Sequence, residues 1–279
     1  MMSPPPIRFP DPVRDDLNAH RPGLADETER LFASHVRPCV AVTSRRVSEK
    51  PLRRSALARV FGARESSPVL GPLESKFGGT PYCEQPEDWK DHSFLGQIDL
   101  AQATSVLPPT AARLTGLLRL DLPKDIAATE ALRVRWFRAP SAQRAVPTQA
   151  EPVGRWETRL EFNLSWTLPE RNALEPLWPL REPPWFEYDR FFPEGYNADA
   201  FDGFHRLLGH KSSGLDEHYG LTAPPGCSED IAAYECLLRL TFDNVADFGW
   251  GTNWIYVLVP AEDLARSDLG RLVVTGANS

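Results

Sequence analysis

Residues 94–123 have the sequence FLGQIDLAQATSVLPPTAARLTGLLRLDLP, and this stretch decides the class of fold. Its two ends are short runs rich in Leu, Ile and Phe, and such runs are typical of strands. The second run ends at Pro123, which has no N–H to donate to a ladder of backbone hydrogen bonds. A third run of the same kind, ALRVRWF, follows at residues 131–137. The stretch therefore predicts successive strands of a sheet.

The second half of the chain has a similar order of elements. Three of its runs correspond to the three strands above: YECLLRLTF at 234–242, NWIYVLVPAEDL at 253–264 and GRLVVTG at 270–276. Gln97 and Leu118 lie 21 positions apart in the first half. The matching Arg239 and Tyr256 lie 17 positions apart in the second. The shared order and similar spacing predict an internal duplication. The alternative is that any chain mixing helices and strands produces such strings.

The N-terminal part of the chain differs from the rest. Residues 1–10 (MMSPPPIRFP) are rich in proline and predict an extended arm, and residues 24–36 (LADETERLFASHV) predict a helix with acidic residues in its first turn. The apolar run Cys39–Val42 predicts a strand. We therefore expect an arm and a helix over residues 1–36 and a single domain over residues 37–279.

Composition excludes several classes of protein. The 279 residues include 31 Lys+Arg and 38 Asp+Glu, and the resulting net charge of −7 argues against a general nucleic-acid binder. No apolar run reaches the roughly 18 residues of a membrane span, and the N-terminus lacks the pattern of a signal peptide. We therefore expect a cytoplasmic protein that binds neither nucleic acid nor membranes. The 27 prolines disfavour a helix bundle.

The cysteines predict neither a metal site nor a redox motif. Their spacing contains no C-x-x-C pair, which excludes a zinc ribbon and a thioredoxin-like site. In the absence of a signal peptide, we expect reduced and buried thiols. The four positions are Cys39, Cys83, Cys227 and Cys236.

Several segments resemble the YwqG-like family of bacterial proteins. In the first half, the family pattern S-K-x-G-G-x-P, F-x-x-Q-I-x-L and G-x-L is matched by ESKFGGTP at 74–81, FLGQIDL at 94–100 and GLL at 116–118. The second half agrees in outline, through FHRLLG at 204–209, LLRL at 237–240 and Trp250-Gly251. The resemblance extends over roughly residues 37–275.

This resemblance implies an α+β fold with mixed, largely antiparallel sheets and two similar half-repeats, at about 37–140 and 156–279. It implies no established reaction, but members recur beside genes for polymorphic toxins, which suggests an immunity-type role by association. The chain departs from the family at Arg239, where Gln is usual, and at His210-Lys211, where Tyr-Pro is usual. A ligand site at those positions would be changed or lost in this chain.

Motifs for nucleotide binding and catalysis are absent from the sequence. It contains no G-x-x-x-x-G-K-[ST], no G-x-G-x-x-G and no G-x-S-x-G. Gly78-Gly79, followed by Thr80-Pro81, predicts a tight turn with positive φ rather than a phosphate-binding loop. Lys76 is interpreted as a solvated charge beside this turn, with a ligand contact as the alternative. Glu262-Asp263 after Pro260 predicts the first turn of a helix.

The histidines do not predict a metal site. His205, His210 and His218 have no recognised metal-binding spacing, and we expect no metal and no other cofactor. His205 is instead expected to begin or cap a helix over FHRLLG.

An aromatic segment is the best candidate for a binding surface. Residues 177–196 (LWPLREPPWFEYDRFFPEGY) place large aromatic side chains among prolines and charges. If exposed, such a segment is typical of a protein-binding surface, and if buried, it covers a sheet. The candidate partner-binding residues are Trp178, Trp185, Phe186 and Tyr188.

Two functions remain open at this point. The first is a non-enzymatic binding protein, of the immunity type, that binds and neutralises a toxin, since an acidic protein suits a basic toxin surface. The second is an enzyme or a small-ligand-binding protein that uses a cleft between the two halves. The candidate cleft residues are Lys76, Gln97, Asp99, His205 and Arg239.

Overall fold

The computed structural model describes residues 8–9, 11–47, 69–124, 132–148, 150–169, 205–211, 228, 230–248 and 254–277. Within them, the strands are β1 (Arg37–Arg46), β2 (Lys76–Phe77), β3 (His92–Asp99), β4 (Leu117–Pro123), β5 (Arg133–Phe137), β6 (Thr158–Thr167), β7 (His205–Leu207), β8 (Tyr234–Leu240), β9 (Trp254–Pro260) and β10 (Val273–Ala277). The α-helices are α1 (Asp11–His20), α2 (Leu24–His35), α3 (Leu100–Thr104) and α4 (Ala261–Ala265).

All these strands belong to one sheet, in the order β10-β9-β8-β7-β1-β6-β2-β3-β4-β5. Neighbouring strands are antiparallel throughout, and the parallel contact in the described chain is an isolated bridge between Phe94 and Pro152. The prediction of a largely antiparallel sheet is therefore confirmed. The longest pairing, of β1 with β6, occupies the middle of the sheet.

The sheet curves around a shared core and is nearly closed, like a barrel. One apolar cluster combines Leu118 and Leu120 of β4 with Val257 and Val259 of β9, which lie on opposite sides of the β1–β6 pair. The Ser267 hydroxyl, just after α4, donates a hydrogen bond of 3.1 Å to the Arg113 carbonyl in the connection after α3. Every residue of β4 is buried, which shows that both of its faces are covered.

The N-terminal helices pack against one end of the sheet. Leu17 of α1 and Phe32 of α2 form an apolar cluster with Leu168, which follows β6. The prediction of a helix near residues 24–36 and of a strand around Cys39–Val42 is confirmed. Residues 11–20 form α1, a helix that was not predicted, and the extended arm expected over residues 1–10 lies mostly outside the described residues. The sequence of this helix, DPVRDDLNAH, contains few apolar residues, and so its helical periodicity is weak.

The thiols in the described chain are buried, as expected for Cys39, Cys83 and Cys236. Burial raises the pKa of both Cys39 and Cys83 to about 11. These thiols are therefore protonated at neutral pH and are poor nucleophiles.

Candidate functional site

Lys76 is fully buried, so its interpretation as a solvated charge is wrong. Its Nζ donates hydrogen bonds to the carbonyl oxygens of Leu70 (3.2 Å) and Gly71 (2.7 Å). Burial lowers its pKa to about 8, and the nearby carboxylates of Glu157 and Glu74 oppose this shift. The ammonium group thus links the chain before β2 to the sheet. Its hydrogen bonds offset part of the free-energy cost of burying a charge.

Gln97, on the neighbouring strand β3, also forms hydrogen bonds to the chain before β2. It lies directly opposite Lys76 in the β2–β3 ladder. Its Nε2 donates to the carbonyls of Pro72 (2.6 Å) and Glu74 (3.1 Å), and its Oε1 accepts from the Tyr82 N–H (2.9 Å). All of these partners are backbone groups of the chain itself, and Gln97 therefore has a structural role.

Asp99 caps a helix. Its Oδ1 accepts hydrogen bonds from the N–H groups of Ala101 (3.0 Å) and Gln102 (3.2 Å) at the start of α3. Its own N–H donates to the hydroxyl of Ser75 (2.9 Å), the residue before β2, which links the start of the helix to this part of the chain. An N-cap of this kind satisfies N–H groups that have no partner within the helix.

His205 is a buried strand residue, and the expectation that it begins or caps a helix is wrong. Its Nδ1 accepts a hydrogen bond from the Thr241 N–H (3.2 Å), so the proton lies on Nε2, which donates to Asp243 Oδ2 (3.1 Å). Asp243 also accepts from the N–H groups of Val245 and Ala246. Burial would raise the pKa of Asp243, but these hydrogen bonds lower it. His205 therefore holds the turn after β8 in place.

Lys76 and His205 do not lie in one cleft. The His205 ring contacts the Phe77 ring edge-on, with 4.8 Å between their centroids. Since consecutive strand residues point to opposite faces of a sheet, Lys76 points away from the face that Phe77 and His205 share. The predicted cleft is thus not formed by these two side chains.

Arg239 is buried on β8, directly opposite Arg206 on β7. Its guanidinium lies over the Trp254 ring, 5.6 Å from the centroid. This is a packing contact between β8 and the adjacent strand β9. Arg239 and Lys76 lie on opposite sides of the β1–β6 pair.

His210 and Lys211, where the chain departs from the family pattern, also bond to the backbone. The His210 Nε2 is 2.7 Å from the His35 carbonyl, which ties β7 to the end of α2. Burial lowers the pKa of His210 to about 4, so the ring is neutral and donates this bond. Lys211 Nζ donates to the Tyr234 carbonyl at 3.1 Å. Across the described ranges, no group of three His, Cys, Asp or Glu side chains is placed to hold a metal ion.

A buried ionic network around Arg119 was not predicted from the sequence. Arg119 Nη1 and Nη2 donate to the two carboxylate oxygens of Glu87, at 3.0 and 2.6 Å, and its Nε and Nη2 donate to Asp121 at 3.2 and 2.9 Å. Arg133 and Arg135 approach the same two carboxylates, each at 2.9 Å. Burial raises the pKa of Asp121, whereas hydrogen bonds to Arg119 lower that of Glu87 despite its burial.

Next to this network is an open cavity of about 460 Å³. Its rim carries the ammonium groups of Lys90 and Lys124, which lie near Asp88 (3.3 Å) and Glu151 (3.8 Å) respectively. Trp89 forms one wall, and its Nε1 donates to Thr148 Oγ1 at 2.8 Å. Charges of both signs on the rim indicate no single class of ligand.

Glu157 is a second buried group that the sequence did not single out. Its carboxylate accepts from the N–H groups of Val69 (2.6 Å) and Leu70 (3.2 Å), and its carbonyl accepts from the Val47 N–H (3.1 Å). Its side chain fills the space beside Gly79, whose φ of 74° follows one of 69° at Gly78. The prediction of a tight turn with positive φ at Gly78-Gly79 is therefore confirmed.

Next to Glu157 in the chain lies an exposed patch that we call the Trp156 patch, formed by Arg46, Arg155, Trp156 and Val245. The half-buried Trp156 ring lies against two exposed guanidinium groups, with centroid distances of 3.8 Å to Arg46 and 5.5 Å to Arg155. Val69 and Val245, the exposed large hydrophobic residues of the described chain, are 62% and 37% accessible.

Two hydrogen bonds relate these valines to residues 156 and 157. Val69 donates to the Glu157 carboxylate, and the Trp156 N–H donates to the carbonyl of Ala246, next to Val245, at 3.1 Å. The second bond places Val245 near Trp156, whereas Val69 is bonded to the buried side chain of Glu157. The predicted partner-binding residues Trp178, Trp185, Phe186 and Tyr188 lie outside the described residues, as does His218.

The fold defines a protein built on one nearly closed antiparallel sheet, with an exposed aromatic and basic patch. A family model described as a domain of unknown function (DUF1963) matches residues 75–276. The match covers most of the chain, and the protein belongs to this family. No curated protein matches the chain. Among the described helices, none is long and apolar enough to cross a membrane.

Proposed function

We propose that this member of the DUF1963 family is a cytoplasmic, non-enzymatic binding protein of the immunity type, which binds and neutralises a toxin. The observation that carries the binding role is the Trp156 patch. Tryptophan and arginine are enriched among the residues that dominate interface energies. An exposed apolar residue, Val245, lies nearby. The toxin as partner rests on the family resemblance alone.

The state of the other candidate residues supports binding over catalysis. Lys76, Gln97 and His205 are buried and bonded to groups of their own chain. A catalytic acid, base or nucleophile must reach a substrate, and these side chains point into the protein. The Trp156 patch, by contrast, is exposed.

A binding measurement with the protein encoded by the neighbouring gene tests the proposal. We expect a stable complex with the purified full chain, and Trp156→Ala should weaken it by about 2 kcal/mol or more, or roughly 30-fold. The matched control is Trp136→Ala, since Trp136 is also half-buried and lies against an exposed arginine, Arg138, at 5.3 Å. This control should bind normally.

Two results would contradict the proposal. One is equal binding by the wild type and Trp156→Ala, both shown by thermal unfolding to be folded. The other is turnover of a small substrate by the purified chain, lost in a variant of a cleft candidate such as Lys76→Met.

We also propose that the chain is an internally duplicated, YwqG-like protein. The order of strands supports this. Counted inward from the two edges of the sheet, the order is β5-β4-β3-β2-β6 from one edge and β10-β9-β8-β7-β1 from the other. Strands at equal distance from the two edges therefore differ by five in number. β3 and β8 each have a bulge, after Phe94 and after Cys236, and β4 and β9 each end in proline. In an experimental structure, at least three strands of the two halves should superpose. Fewer would refute the duplication.

A further inference from the structure

Four exposed arginines lie at or near the end of the β1–β6 pair where Trp156 is found, although the chain as a whole is acidic. They are Arg45, Arg46, Arg155 and Arg159. Arg45 and Arg159 lie directly opposite one another in the β1–β6 ladder, which places both side chains on the same face of the sheet. The net charge of the chain is −7, so this concentration of positive charge is local.

Two of the four arginines already have carboxylate partners. Arg45 pairs with Glu161 at 2.7 Å, and Arg159 pairs with Glu74 at 2.9 Å. In the part of the chain that the structure describes, Arg46 and Arg155 contact the Trp156 ring and form no ion pair. These two guanidinium groups keep their hydrogen-bond donors available beside an aromatic surface.

We propose that the Trp156 patch binds a protein segment in which Asp or Glu flank apolar side chains. This inference rests on the proposed binding function and specifies its partner. Arg46 and Arg155 would each receive a carboxylate, for which the planar guanidinium offers paired donors. Trp156 and Val245 would cover the apolar side chains between those carboxylates. At this patch the complementary partner surface is acidic, although the net charge of the chain would suit a basic one.

The charges around the patch favour a protein over a nucleic acid. Glu161 and Glu74 are 47% and 44% exposed and would repel a phosphate backbone that follows the arginines. The acidic chain as a whole would also slow the approach of a polyanion. A protein segment of mixed composition can place carboxylates at Arg46 and Arg155 and leave other groups near the two glutamates.

The test uses the purified full chain and three fluorescent probes: a short peptide in which Glu and Asp flank Leu, the same peptide with Lys in place of the acids, and an oligothymidylate of equal length. Fluorescence anisotropy gives Kd at low and at physiological salt. We expect the acidic peptide to bind, and Arg46→Glu with Arg155→Glu to raise its Kd by about tenfold or more. The control is Arg138→Glu with Arg144→Glu, which makes the same change of charge at two exposed arginines away from the patch and should change Kd by less than about twofold.

Three outcomes would overturn this inference. The acidic peptide does not bind, both double variants lose binding equally, or the oligothymidylate binds more tightly than the acidic peptide. If the acidic peptide fails while Trp156→Ala still weakens the toxin complex, the inferred chemistry of the partner falls and the proposed binding function stands.

Discussion

The carboxylate of Glu157 occupies the space that a side chain at Gly79 would fill. A Cβ at Gly79 would lie 2.2 Å from Glu157 Oε1, well inside any permitted contact. Glu157 in turn holds the backbone N–H groups of Val69 and Leu70. The second glycine of the turn is thus required both by its positive φ and by the buried acid beside it.

Gly79→Ala is therefore expected to destabilise the protein by about 2–4 kcal/mol, since it adds overpacking to an unfavourable backbone conformation. Gly23→Ala is the matched control, because Gly23 has a φ of 80° with nothing within 4 Å of its added Cβ. That control should cost only about 1–2 kcal/mol. Urea unfolding measures both. Equal losses would show that Glu157 moves aside without cost.

The lowered pKa of Lys76 leads us to expect that the stability of the protein changes with pH in the alkaline range. This pKa falls from 10.5 to about 8 on folding, so between these values the unfolded chain binds more protons than the folded one. Stability from this group therefore rises as pH increases from about 8 to about 10.5, by an amount of the order of 3 kcal/mol.

The difference between wild type and Lys76→Met isolates this effect, since other groups titrate equally in both. At pH 7 the variant avoids burying a charge but leaves the carbonyls of Leu70 and Gly71 without their donor. The wild type should gain stability relative to the variant as the pH is raised through this window. A constant difference from pH 7 to 10.5 would show that the Lys76 pKa is not lowered.

Loss of His205 should destabilise the turn after β8. In His205→Phe the ring packing on Phe77 is retained, but Asp243 and the Thr241 N–H lose a partner. We expect a loss of at least about 2 kcal/mol in the free energy of unfolding. His20→Phe, at an exposed position at the end of α1, should change it by less than about 0.5 kcal/mol. Comparable losses of stability in His205→Phe and His20→Phe would show that the hydrogen bonds of His205 do not stabilise the turn.

The strands were predictable because their signal is local. Runs such as FLGQIDL and GLLRLDLP form β3 and β4, and Glu262-Asp263 lies in the first turn of α4 as expected. The strand partners were not predictable, because strand propensity does not say which strand lies alongside. β1 pairs with β6 and β7 of the second half, and β6 pairs with β2 of the first.

The candidate site was less predictable than the fold. Lys76 follows a polar segment and precedes a turn, and nothing local indicates that Glu157 and the Leu70 and Gly71 carbonyls surround it. Arg119 and Asp121 did carry a signal. They alternate with leucines in a strand that is otherwise apolar, which places both charges on one face and requires partners if that face is buried.

The network around Arg119 allows the sharpest energetic test. Arg119→Met leaves Glu87 and Asp121 with fewer donors in a buried site, and we expect a loss of about 3–5 kcal/mol. Asp121→Leu alone leaves Arg119 with Glu87 and should cost about 2–4 kcal/mol. In the double variant, which combines Arg119→Met with Asp121→Leu, Glu87 retains Arg133 and Arg135 as ionic partners, at 3.6 and 2.9 Å.

The double variant should therefore lose less stability than the sum of the two single losses, by about 1–3 kcal/mol, because residues of one network are coupled. Arg21→Met and Glu27→Leu provide the matched control, since this pair lies on the surface of the N-terminal helices with about half of each side chain exposed. A surface pair contributes little, and its cycle should give a coupling below about 1 kcal/mol. Additive losses at Arg119 and Asp121 would mean that burial of β4, rather than pairing of its charges, determines the stability of this side of the sheet.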